Sequence, residues 1–116
     1  KVRESMVRIQ RELARDGRIV VIGRDIGTVV IPDAPLKLFL VASSKERAIR
    51  RYRELIALNY DVDQQRIIED LKVRDRIDSE RLHSPLKPAV DSVTINTDSV
   101  SVDQVVGKIL RLIKGL

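Results

Sequence analysis

The 116-residue chain has 43% hydrophobic residues and 22 Lys and Arg against 17 Asp and Glu, a formal charge of +5; one modest core in a single domain over residues 1–116 is expected, with anionic partners. With no cysteine and a single histidine, His83, disulfides, thiolate metal sites and an unaided histidine zinc site are excluded. No run of eighteen apolar residues occurs and the opening KVRESMVRIQ has neither a hydrophobic signal core nor an initiator methionine, so a cytoplasmic protein without membrane insertion or export is expected.

Val2, Met6, Ile9 and Leu13 lie at steps of four, three and four, one stripe of an amphipathic helix from Val2 to Asp16 that Gly17 stops. Ile19-Val20-Val21-Ile22 is entirely β-branched and ends at Gly23, which predicts a central strand buried on both faces. A polar turn, Gly23 to Thr28, then leads through Val29-Val30-Ile31 into Pro32-Asp33-Ala34-Pro35, whose prolines forbid regular structure. Leu36 to Ala42 is a second predicted buried strand. Ser43 and Ser44 can cap a basic helix running to about Leu58, and a second helix is expected from Asp63 to about Ile77. Ser84-Pro85-Leu86-Lys87-Pro88 breaks what precedes it. Ser92 to Asn96 reads as a third strand, and Val102, Val105, Val106, Ile109, Leu110 and Ile113 trace a closing helix that ends near Gly115. The alternation implies a layered α/β fold with a mostly parallel sheet. Three strands are few for a doubly wound sheet and the first helix lacks a preceding strand, so the chain is expected to be part of something longer.

Three clusters carry candidate chemistry. Gly23-Arg24-Asp25-Ile26-Gly27-Thr28 follows the first predicted strand, where open α/β sheets hold ligands; an ordinary turn with a surface Arg and Asp pair suits the same residues. Arg74, Asp78 and Arg81 share one helical face at steps of four and three, placing a carboxylate between two guanidinium forks that suit phosphate oxygens and sugar hydroxyls. A solvated face with internal ion pairs accounts for that spacing too. Arg47, Arg50, Arg51 and Arg53 make a helix more basic than Glu46 and Glu54 neutralise, which suits a nearby anion, a nucleic acid, or solvent alone. Only Phe39, Tyr52 and Tyr60 are aromatic, too few for a single-strand stacking platform, so discrete phosphate ligands are preferred.

Taken together, GRDIGTVVIPDAPLKLFLVASSKERAIRR and RDRIDSERLHSPLKPAVDSVTINT resemble the cytidylate kinase family in motif content and order, from Arg3 to the final helix. The resemblance implies a partial P-loop-kinase three-layer sandwich with a mostly parallel sheet and inserted lid helices at about 45–75. It implies transfer of the γ-phosphoryl of ATP, with Mg2+, to CMP or dCMP, in a monomeric full-length enzyme with no specific nucleic-acid partner. Asp25 would read the cytosine amino group and repel the uracil keto oxygen, beside Arg3, the family's other base contact. Arg24 and Arg81 would hold the CMP phosphate, and Arg74 with Asp78 the sugar hydroxyls. Arg50 and Arg51 would close over the ATP phosphates as lid arginines that stabilise the transferring group. No metal ligand is nominated, because the G-x-x-x-x-G-K-S/T loop that holds ATP phosphates and Mg2+ is missing from the sequence. The chain alone is therefore expected to bind CMP weakly and not to turn over. A short non-catalytic nucleotide- or nucleic-acid-binding domain, or an oligomerising module, is the alternative.

Overall fold

The computed structural model describes residues 1–80 and 86–116. In chain order it has helix α1 (Val2–Ala14), a π-helical turn (Ile26–Val30), strand β1 (Leu38–Val41), helices α2 (Ser44–Ala57) and α3 (Gln64–Glu80), strand β2 (Val93–Asn96) and helix α4 (Val102–Lys114). β1 and β2 form a parallel pair in which Leu38 faces Val93 and Val41 faces Asn96. Parallel neighbours need a long crossover, and α2 and α3, packed on each other, supply it.

Local chemistry fixes the ends of these elements. Gly17 and Arg18 both take positive φ and turn the chain out of α1. The Ser43 hydroxyl accepts from the Glu46 amide and starts α2. α2 ends in a double backbone lock: the Tyr60 amide donates to the Leu55 carbonyl and the Asn59 amide to that of Ile56, both at 3.0 Å, with Asn59 in the left-handed region at φ 64°. Ser101 and Gln104 form a reciprocal capping box at the start of α4. α3 runs beyond the expected Ile77 and brings Asp78 inside the helix.

The predicted central strand does not form. Residues 18–22 run in no regular element, and Ile22 is 91% exposed. A β-branched run becomes a strand only where a neighbour completes its hydrogen-bond ladder, and among the described residues none pairs with this segment. Among the described residues the sheet therefore has two strands rather than three. Nor is β1 buried on both faces, since Leu40 is exposed. Val20 to Ile22 and Leu38 to Leu40 instead line a shared cleft of about 430 Å³.

Apolar burial is sparse: among the described residues Val30, Ala48, Ile67 and Ile95 are the buried hydrophobic ones. The stripe Val2, Met6, Ile9 and Leu13 on α1 and Val102, Val106, Leu110 and Ile113 on α4 stand in solvent. The accessible surface of 9282 Å² compares with roughly 6,400 Å² for a compact monomer of this mass. The radius of gyration is 16.3 Å, against about 13 Å for a compact domain of this length.

Candidate nucleotide site

Three elements meet in one polar cluster. α1 contributes Arg3 from its first turn, the segment entering the π turn contributes Arg24 and Asp25, and the last turns of α3 contribute Arg74 and Asp78. Arg3 Nη2 donates to Asp25 Oδ2. Arg24 Nη1 donates to Asp78 Oδ1 at 2.7 Å, and Arg74 Nε lies 4.0 Å from Asp78 Oδ2. Because residues 24 and 25 are adjacent, these pairs make one alternating chain of cations and carboxylates linking two helices through the turn. Asp78 is 5% exposed and is the buried charged residue of the described chain. Such a carboxylate requires cationic or hydrogen-bonding partners, and the guanidiniums provide them.

The turn holding Arg24 and Asp25 follows residues 18–22, which form no regular element and pair with no strand among the described residues, not the end of a buried strand as expected. Its geometry comes from π-type bonds: the Val30 amide donates to the Asp25 carbonyl and the Ile31 amide to that of Ile26. Arg24, Asp25 and Gly27 also line the 430 Å³ cleft. Lys37 covers one wall, and a Cβ on Gly27 would come within 3.3 Å of its side chain, so glycine permits this close approach.

The basic helix divides its arginines differently. Arg50 leans over the chain leaving β2, donating to the Thr97 carbonyl at 2.8 Å and the Thr97 hydroxyl at 3.2 Å. Arg51 pairs with Glu54 at 3.0 Å on the exposed face. Their described contacts do not join the Asp25 and Asp78 cluster. Arg47 forks onto Asp75 of α3 and reaches the Ala42 carbonyl, tying the two crossover helices to the end of β1. The hydrogen bonds from Arg47 hold the Asp75 carboxyl below its ordinary value and raise the guanidinium in turn. Arg81 lies outside the described residues.

Two ties escaped the sequence reading. Lys37 bonds Asp91 at 2.8 Å, which lowers the Asp91 carboxyl, and Arg11 caps backbone carbonyls of the π turn. Neither pair has a helical spacing, and no motif marks it. Among the described residues no group of three acidic or histidine side chains converges, and Asp25, Asp75, Asp78 and Asp91 are each bound to a cation.

Comparison with known proteins supplies the family. Residues 1–115 match the family model described as cytidylate kinase. Curated cytidylate kinases of Bacillus pumilus, Bacillus velezensis and Thermosipho melanesiensis are 53%, 50% and 47% identical over 94%, 97% and 97% of this chain. Those alignments cover 48%, 50% and 52% of the relatives, so the chain spans about half their length. With its sequence matched almost end to end, the chain belongs to the cytidylate kinase family.

Proposed function

We propose that the protein is a (d)CMP kinase and that this chain carries its monophosphate site and lid. The observation that carries the reading is the Arg3, Asp25, Arg24, Asp78, Arg74 cluster, assembled from three elements in a chain of this family. Asp25, already oriented by Arg3, offers a carboxylate to the cytosine amino group. Uracil presents a keto oxygen at that position and is repelled. Arg24 spends one Nη1 donor on Asp78, which leaves further guanidinium donors for phosphate oxygens. By resemblance to the family, Arg74 and Asp78 serve the sugar hydroxyls and Arg81 the phosphate.

In the reaction an oxygen of the CMP or dCMP phosphate attacks the γ-phosphorus of ATP, the bond to the β–γ bridging oxygen breaks, and ADP leaves, with CDP from CMP or dCDP from dCMP as the other product. This chain contributes positioning and positive charge to that transfer. Arg50 and Arg51 move with the α2–α3 lid, and closure releases Arg50 from Thr97 toward the donor phosphates. ATP and Mg2+ are held by the P-loop half of the enzyme. The uncovered stripes of α1 and α4 and the unpaired residues 19–22 suit packing against that half, which completes the three-layer sandwich. Arg3, Arg24, Lys37 and Arg47 are committed to internal carboxylates, which disfavours their use in a nucleic-acid stripe.

The test is an NMR titration of this chain with CMP and UMP, followed by a phosphorylation assay with a P-loop half supplied. CMP is expected to bind at least about tenfold more tightly than UMP, and Asp25→Asn to erase the difference. Equal binding of both nucleotides by the parent chain would overturn the proposal.

A further inference from the structure

Arg11 is tied into the nucleotide cluster without belonging to it. Its Nε donates to the Val30 carbonyl at 2.7 Å and its Nη2 to the Val29 carbonyl at 2.9 Å. These are the last two carbonyls of the π turn, and the end of a helical turn leaves its carbonyls without backbone partners. Val30 is buried at 2% exposure, where water is a poor substitute for the lost bond. A planar fork that donates to both oxygens at once therefore fixes the C-terminal end of the turn.

The N-terminal end of the same turn is Asp25. Its carbonyl accepts from the amides of Val29 at 2.9 Å and Val30 at 3.3 Å, so the two residues whose carbonyls Arg11 holds are those whose amides hold Asp25. A π turn is less favourable than an α turn and persists where its surroundings over-determine it. Relaxation to α geometry removes the Val30 bond to Asp25 and rotates the backbone that aims the carboxylate. Eight residues before Arg11, on the same helix, Arg3 grips that carboxylate directly. α1 thus contacts the turn at both ends through these two arginines.

We propose that Arg11 is a positioning residue for base discrimination: by capping the Val29 and Val30 carbonyls it holds the π turn that aims Asp25 and keeps Arg3 opposite it. The proposal rests on the reading of Asp25 as the group that distinguishes cytosine from uracil. It assigns Arg11 no contact with the nucleotide.

With the P-loop half supplied, the experiment compares the parent chain with Arg11→Ala, Arg11→Lys and Asp25→Asn, measuring CMP and UMP affinities by NMR and amide hydrogen exchange residue by residue. In Arg11→Ala the CMP over UMP ratio is expected to fall by about fivefold or more. The amides of Val30 and Ile31 should exchange about tenfold faster while those of α4 stay unchanged. Arg11→Lys, which keeps a cation able to reach one carbonyl, should restore part of both effects. A purely structural loss would weaken both nucleotides alike and leave their ratio intact. If Asp25→Asn loses discrimination while Arg11→Ala keeps it, the positioning role is wrong and the reading of Asp25 survives. If the parent chain or Asp25→Asn shows that Asp25 does not discriminate, the reading itself fails and takes the proposal with it. Unchanged exchange at Val30 and Ile31 in Arg11→Ala also overturns it.

Discussion

Asp78→Asn tests whether the cluster is held by its buried carboxylate. The Arg24 bond at 2.7 Å is charge-assisted, and such bonds contribute about 1.5–3 kcal/mol. Arg24 is 41% exposed, so water recovers part of the loss and the lower end, about 1.5 kcal/mol, applies. Arg74 is 62% exposed and 4.0 Å from the carboxylate, which limits its share to about 0.5 kcal/mol. From these two contacts Asp78→Asn should therefore cost at least about 2 kcal/mol. Arg24→Gln should cost nearly as much, because it leaves a buried carboxylate short of a partner, and Arg74→Gln no more than about 0.5 kcal/mol. Urea unfolding followed by far-ultraviolet circular dichroism reads these differences. With a slope of about 1–3 kcal/mol per molar, Asp78→Asn lowers the midpoint by about 1 M. A double-mutant cycle on Arg24 and Asp78 should give a coupling of about 1 kcal/mol. The reasoning is refuted if Arg74→Gln costs as much as Arg24→Gln, or if Asp78→Asn leaves the midpoint where it was.

The Arg47–Asp75 tie sets a pH dependence. Its hydrogen bonds depress the folded carboxyl below the unfolded value, so the stabilisation is complete above an unfolded pKa of about 3.9. It is lost as pH falls through the depressed folded value. Asp75→Asn should lower stability at neutral pH by about 0.5–1 kcal/mol, a figure reduced because each partner is roughly a third exposed. The gap between parent and variant should close in acid, and a gap constant from pH 7 to pH 3 would show that the ion pair is not its source. For residues 18–22, Ile22→Ser should change the stability of this chain by less than about 0.5 kcal/mol. A loss of about 2 kcal/mol or more in the same urea assay would mean that the residue is buried in a core after all.

Sequence alone determined the elements whose causes are local. Ser43, Gly17 and the apolar periodicities of α1 and α4 act within a few residues, and each placed its helix within about two residues of where it lies. The Arg74–Asp78 spacing acts on the same scale and put the two side chains on one face of α3. The family was legible too, because ordered motifs survive without knowledge of contacts. Tertiary structure alone decided which charges meet. Arg24 and Asp78 are 54 positions apart, Arg3 and Asp25 are 22, and Arg11 and Val30 are 19. No helical or strand period relates such positions, and only the docking of α1 and α3 around the π turn brings them together. The same physics explains the failed strand prediction. Ile19 to Ile22 has the composition of a strand, but a strand is a property of a pair; composition supplies the propensity, and only a neighbour aligned along the backbone supplies the ladder.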